Sequence, residues 1–319
     1  MSVLVDTRKG KRPIFSRRKL KEWGFAYAML LIPLLQFIVF YIWVNANSII
    51  MAFQEFVDYS DNGGEIFAWS LGNFSRFFNE FKNPQSMVVA ALKNTFKYFG
   101  TAVVMIPVTF LVSYFLYKKL WGYKLFRVVF FLPSIISAVL FVTTYKRLIS
   151  LGGPLDQYVF KLFGKRVPTL LANDKTATAT IIAYTVWTGF GVNMLLYQSA
   201  MSRVPQENIE AAALDGCPWY RELWSIIIPM VWPTISTTII LCITSMFNST
   251  GPILLFAEVG QTVDRPATTT ITFWIYCKTK GGVDLNYPAA IGMFFTLVSV
   301  PVVFFVRWLF NKIDPDVTY

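Results

Sequence analysis

The sequence predicts an all-α integral membrane protein with six transmembrane helices and both termini in the cytoplasm. Three observations carry this. Hydrophobic residues make up 55% of the 319 and charged residues only 15%, against about 25% charged in an ordinary soluble domain. The charges are missing from long continuous stretches: Trp23 to Gln54, Tyr98 to Tyr117, Val128 to Tyr145, Thr176 to Ser202, Leu223 to Ala257 and Leu285 to Val306. Each is about as long as the ~20 residues a helix needs to cross ~30 Å of hydrocarbon. A soluble core helix of that length would carry a polar face at helical spacing; these stretches are apolar on nearly every side. Third, a basic cluster precedes the first of them.

Taken in order, residues 1–24 form a basic tail with Arg8, Lys9, Lys11, Arg12, Arg17, Arg18, Lys19 and Lys21, the mark of a cytoplasmic segment. The apolar run that follows is too long for a signal-peptide core and no small-x-small cleavage site closes it, so it reads as an anchor. The first span, about 25–50, exits. Residues 51–93 lie outside, with Glu55, Asp58, Asp61, Glu65 and Glu80. The second span, about 95–117, returns to a short basic turn of Lys118, Lys119, Lys124 and Arg127. The third, about 126–145, exits again. The fourth, about 177–200, places the 201–222 loop in the cytoplasm. The fifth, about 223–247, and the sixth, about 287–310, leave a short cytoplasmic tail at 311–319. The membrane domain thus covers 25–310. The outer loop of 146–177 fits badly, with Lys146, Arg147, Lys161, Lys165, Arg166 and Lys175 against Asp156 and Asp174; the first helix dominates orientation and later loops deviate. Pro266–Cys277 is charge-free but too short to span, and reads as outside the membrane or partly inserted.

The net charge of +11 and isoelectric point near 9.5 report topology and attraction to anionic lipid. No nucleic-acid-binding motif accompanies them. With no histidine and three isolated cysteines, Cys217, Cys242 and Cys277, neither a metal site nor a nucleophile–base arrangement is visible. The chain therefore reads as a non-enzyme without a cofactor of its own. Spans contain Pro33, Pro107, Pro133, Pro229, Pro233 and Pro301, common in membrane helices. Gly189 and Gly191, flanked by Trp187 and Asn193, read as a cavity lining.

The 201–222 loop carries the most information. Pro205 suits a first helical position and Glu207 complements the helix dipole. Good helix formers continue to Leu214. Gly216 can adopt φ > 0 and end the helix, and Pro218 can start another. Ala211, Ala212 and Ala213 leave the backbone approachable, and Glu210 and Asp215 offer acceptors to a basic partner. The same pattern also fits an interfacial connector between spans.

Glu210-Ala211-Ala212, then Asp215-Gly216, Leu223, Pro229 and Pro233 resemble the EAA loop of permeases in binding-protein-dependent ABC importers. The Asp-Gly pair is similar to the sugar-importing branch, including maltose-type permeases. Ala52-Phe53-Gln54, Leu71-Gly72-Asn73-Phe74, Asn94-Thr95, Leu132-Pro133 and Trp187-Thr188-Gly189-Phe190 resemble it too, in family order along nearly the whole chain. Cys217 stands where alanine is usual and Leu223 where an aromatic is common. The resemblance implies a type I importer permease fold in a bacterial cytoplasmic membrane. It implies that Glu210, Ala211, Ala212, Asp215, Gly216 and Leu223 couple to a cytoplasmic ABC ATPase dimer, with ATP and Mg held by that separate subunit. It further implies a second, related permease subunit and an extracellular sugar-binding protein.

No GxxxxGK[ST] phosphate loop occurs in the sequence, in keeping with hydrolysis elsewhere. A sugar needs hydrogen bonds and aromatic faces without fixed charge. Tyr184, Trp187, Thr188 and Asn193 of the fourth span, with Thr244, Ser245 and Asn248 at the end of the fifth, are the candidates for its path. Ser, Thr and Asn also serve as links between helices. Other cargo on the same architecture, a polyol or glycerol phosphate, and an ion-coupled carrier are the alternatives. A carrier would place ionisable side chains within its spans, and the charge-free stretches oppose it.

Overall fold

The computed structural model describes residues 17–59, 65–167, 169–257, 265–282 and 284–313. Arg8, Lys9, Lys11 and Arg12 of the basic cluster lie outside the described residues, as does most of the 311–319 tail. Among the described residues, five helices are long and apolar enough to cross a membrane, and a pair bent by 109° passes the same test together, which makes six when the pair is counted as one span.

Helix α1 runs through Arg17–Phe37, a π-helical stretch Ile38–Trp43 and Val44–Ala52. Its most apolar window is 0% buried, and only its last turns pack on another long helix. Beyond it, β1 (Gln54–Tyr59) and β2 (Glu65–Trp69) form an antiparallel hairpin, followed by α2 (Gly72–Lys82). Asn73 donates to the Gln54 carbonyl at 2.8 Å and pins α2 to the hairpin.

Helix α3 spans Met87–Tyr117, starting at Met87 rather than near Thr95 because Ser86 caps it by accepting from the Val89 amide. Helices α4 (Tyr123–Ile135) and α5 (Ala138–Ile149) occupy the region of the expected third span, about 126–145. The chain turns by 109° between them. Pro133 withdraws a helical N–H, and Ile136 and Ser137 are extended, with ψ of 145 and 128. Proline in a membrane helix is common enough that the sequence does not announce a bend.

Helix α6 (Pro154–Phe163) follows. Asp156 accepts from the Gly152 amide at 2.9 Å and the Val167 amide at 2.7 Å. Those two bonds, with Arg166 nearby, hold its carboxyl below the usual carboxylate range. Within the badly fitting basic loop, Lys146 donates to the Phe256 carbonyl at 2.8 Å and Arg166 lies over the Phe160 ring. These cations therefore do fixed structural work.

Helices α7 (Asp174–Thr188) and α8 (Gly191–Met201) make up the fourth span, and α9 (Gln206–Leu214) the short loop helix. Helix α10, Trp219–Ser245, contains a π-helical turn at Leu223–Ile227. Pro229 lacks an N–H for the carbonyl four residues back and crowds it; the widened turn just before it accommodates the crowding. Then come α11 (Ile253–Phe256), α12 (Ile271–Gly281) and α13 (Asn286–Ile313). Three buried clusters hold the bundle. One lies at the loop end and includes Tyr114, Tyr197, Met201, Leu223 and Ile227. A second, at the opposite end, joins Phe77, Ala91, Trp274, Tyr287 and Ile291. The third is mostly aromatic: Phe141 and Tyr184 with Val142, and Phe256 against them. Large apolar side chains outside these clusters are widely exposed, Ile32 to 72% and Phe40 to 71%, as a lipid-facing surface requires.

Candidate functional site

The loop between α8 and α10 is a seated helix-turn. Pro205 occupies the N-cap position of α9, one residue before the first helical position expected for it. At the other end the Cys217 amide donates to the Ala212 carbonyl at 2.9 Å, and the Gly216 amide to Ala213 at 3.1 Å. With Gly216 at φ 67, this is a Schellman ending. Pro218 then caps the start of α10, its carbonyl accepting from Arg221 and Glu222.

The helix sits on the body through one face. Val204, Ile209 and Leu223 are buried in the loop-end cluster with Tyr114, Tyr197 and Met201, and Ala212 is 8% exposed. Leu223, read from the sequence with the coupling residues, is therefore a packing residue beneath the loop. Glu210, Ala211, Ala213, Asp215 and Gly216 face outwards. So does Leu214, at 89% exposed, which is not among the coupling residues that the resemblance implies. A helical wheel carries the signal: five residues from Ile209 puts Leu214 well off the buried face. An open groove of about 580 Å³ runs beside the turn between Ala211, Asp215 and Gly216 on one side and Arg221, Ile226 and Met230 on the other.

This arrangement separates seat from surface. Ile209→Ala removes buried volume and is expected to cost about 2–5 kcal/mol, seen as a lower thermal midpoint of the solubilised protein. Leu214→Ala should leave that midpoint unchanged. Equal effects of the two would contradict the two-faced helix.

Two further connections tie the loop to α3. Lys118 Nζ lies 2.6 Å from Glu222 Oε1, and the Tyr114 hydroxyl donates to the Trp219 carbonyl at 3.3 Å. From sequence alone Lys118 reads only as part of a basic cytoplasmic turn; its pairing with Glu222 arises from the fold.

The candidate path residues divide. Tyr184 is 4% exposed, its ring packed against Tyr145 at 5.2 Å and Phe256 at 5.1 Å. It belongs to the aromatic cluster and lines no open surface. Trp187 packs on Phe141 at 4.9 Å yet keeps 38% of its surface exposed. Thr188 donates to its own helix at the Tyr184 carbonyl, 3.0 Å, and Asn193 is half-buried. Thr244, Ser245 and Asn248 are exposed and donate to carbonyls of their own segment: Ile240 at 2.8 Å, Cys242 at 2.9 Å and Thr244 at 3.0 Å. Gly191 is no cavity lining: a Cβ there would meet Ser134 Oγ at 2.6 Å, so the glycine lets α8 close on α4.

Asn94 and Thr95 acquire a role the sequence did not disclose. Asn94 donates to the carbonyls of Pro266 at 2.8 Å and Thr269 at 3.1 Å, and Thr95 accepts from the Ile271 amide at 3.0 Å. Thr178 donates to Ala267, and Arg265 reaches the Leu171 carbonyl at 3.0 Å. Pro266–Thr270 is thus irregular backbone leading into α12, with the carbonyls of Pro266 and Thr269 met from α3 and that of Ala267 from α7; Ile271–Cys277 is already helix.

A family model described as "binding-protein-dependent transport system inner membrane component" matches residues 90–319. The arabinooligosaccharides transport system permease protein AraP of Bacillus subtilis (strain 168) is 25% identical, over 92% of this chain and 89% of its own. The sn-glycerol-3-phosphate transport system permease protein UgpA of Salmonella typhi is 24% identical, over 95% of this chain and 98% of its own. Among solved structures, a bacterial alginate ABC transporter in complex with alginate pentasaccharide-bound periplasmic protein superposes with a TM-score of 0.77. That match is 19% identical and covers 93% of this chain and 97% of the other.

Proposed function

The chain belongs to the binding-protein-dependent transport system inner membrane components, a multi-pass membrane family of transport proteins, and on that premise we propose that it is one permease subunit of an ATP-driven sugar or oligosaccharide importer. A second, related permease completes the pathway. A cytoplasmic ABC ATPase dimer binds ATP and Mg and hydrolyses the nucleotide on its own chains. An extracellular binding protein delivers the cargo. The observation that carries this reading is the outward face of α9 and its turn, where Leu214 stands 89% exposed beside Glu210, Ala211, Asp215 and Gly216. A single exposed leucine is ordinary on any surface; the weight rests on its place on the turn that carries Glu210-Ala211-Ala212 and Asp215-Gly216, in a chain of this family. Closure of the ATPases moves this turn, and the seat beneath it, Ala212 and Leu223 included, carries the motion into the spans as alternating access.

The cargo path is proposed to run past Trp187, Thr188, Asn193, Thr244, Ser245 and Asn248, whose exposed or half-buried positions leave them open to a solute or to the second permease. Likeness to AraP and to the alginate transporter supports a carbohydrate cargo. Likeness to UgpA supports a second reading, the same machinery carrying glycerol phosphate.

A photo-crosslinking amino acid at Leu214 in the intact transporter is expected to capture the ATPase, and one at Ile209 to capture none. Capture of no ATP-hydrolysing chain from Leu214 would sink the coupling assignment. The cargo is decided separately, by thermal stabilisation of the cognate binding protein with oligosaccharides or with glycerol 3-phosphate.

A further inference from the structure

The loop's outer face is where force enters; the question is how that force reaches the transmembrane helices. Hydrophobic seating by Ile209 and Leu223 resists removal of the loop but leaves sliding along the apolar surface inexpensive, because dispersion contacts are non-directional. Directional links join the end of α3 to the first turn of α10. Glu222, 6% exposed, is met by Lys118 Nζ at 2.6 Å from Oε1 and 2.8 Å from Oε2. Lys118 follows the last turn of α3, and Lys119 at φ 54 ends that helix abruptly, with the Lys119 and Leu120 amides donating back to Leu116 and Phe115. One turn earlier, the Tyr114 hydroxyl donates to the Trp219 carbonyl, and the Phe115 ring lies 5.5 Å from the Trp219 ring. Three consecutive attachments, at Tyr114, Phe115 and Lys118, therefore grip both ends of the first turn of α10.

A buried ion pair is a poor source of stability, since desolvation offsets its attraction, but its geometry is specific. From this we infer that Lys118 and Glu222 form a positioning strut that makes the end of α3 move as one body with the coupling turn, so that a displacement of the turn rotates α3 instead of bending the loop. The strut rests on the proposed ATPase contact of α9 and extends it inwards to a second span. It touches neither nucleotide nor cargo.

The test uses the complete transporter, with both permeases and the ATPase dimer. Spin labels on unnatural amino acids replace Gln206, at the start of α9, and Trp121, which is 97% exposed beyond the end of α3. Their separation is measured without nucleotide and after trapping with Mg-ATP and vanadate. In the unmodified chain the two distributions should coincide. In Lys118→Met/Glu222→Leu, where apolar side chains replace both charges without orphaning either, trapping should shift or broaden the separation while the thermal midpoint stays unchanged. The reversed pair Lys118→Glu/Glu222→Lys should restore coincidence. A merely structural pair would lower the midpoint without making the separation nucleotide-dependent, and coincident distributions in the apolar double variant would overturn the strut. If that variant fails to assemble, the reversed pair decides: coincident distributions support the strut and separated ones refute it. Failure of the Leu214 crosslink would instead remove the ATPase contact, a result the label distances do not share.

Discussion

Gly216→Asp is expected to leave the subunit folded and assembled while abolishing transport. The residue sits at φ 67, where a side chain ordinarily costs roughly 1–2 kcal/mol, and least for Asn and Asp, whose short polar groups bond locally. That is small beside the roughly 5–15 kcal/mol that holds a typical domain together. A Cβ on Gly216 would meet nothing within 4 Å, so no clash inside the chain adds to the strain. The added carboxylate instead projects from the turn beside Asp215, into the space assigned to the ATPase. Size-exclusion chromatography of the purified complex and uptake in whole cells measure the two halves of the expectation. Gly216→Asn, with similar size and no charge, separates steric from electrostatic exclusion. Uptake at the parental rate in Gly216→Asp would remove the turn from the contact.

A loss of a different kind is expected from Asn94→Leu. Its amide is the donor for two carbonyls, Pro266 and Thr269, in a stretch with no helical partners of its own. Each buried acceptor left without a donor costs about 1–3 kcal/mol, so the pair together costs about 2–6 kcal/mol. The thermal midpoint and the yield of folded subunit should both fall, whatever the cargo or nucleotide state. Asn94→Gln keeps the donor on a longer arm and should recover part of the loss. An Asn94→Leu protein as stable as its parent would mean that this backbone is not buried under α3 in the membrane.

The long helices were legible because a bilayer imposes a length and a polarity rule, and a charge-free stretch such as Leu285 to Val306 obeys both. The short loop helix was legible because Gly216 and Pro218 punctuate it. Other features were not, for identifiable reasons. Pro133 resembles every other membrane proline, so the 109° turn after it carries no local signature. Tyr184 and Trp187 share a face of the fourth span, but whether that face meets water or Phe141 depends on how the chain folds back after that turn. Gly191 reads as an open position or as a close approach until Ser134 is seen beside it. Lys118 and Glu222 are 104 residues apart, and a pair at that separation exists only once the helices are assembled. Leu223 illustrates the converse: its place in a motif drew attention to partners, while its burial assigns it to the interior.

The isolation of α1 bears on which bilayers suit the protein. The helix Lys21–Ala52, 32 residues with an apolar window inside it, is about 48 Å long at 1.5 Å per residue, well beyond the roughly 30 Å of hydrocarbon a span crosses. The surplus must be absorbed by tilt or by emergence into the headgroups. Anchored to its own chain only near Val44–Ala52, the helix has little else to fix its angle. Membrane thickness therefore weighs heavily on the inclination of the first span.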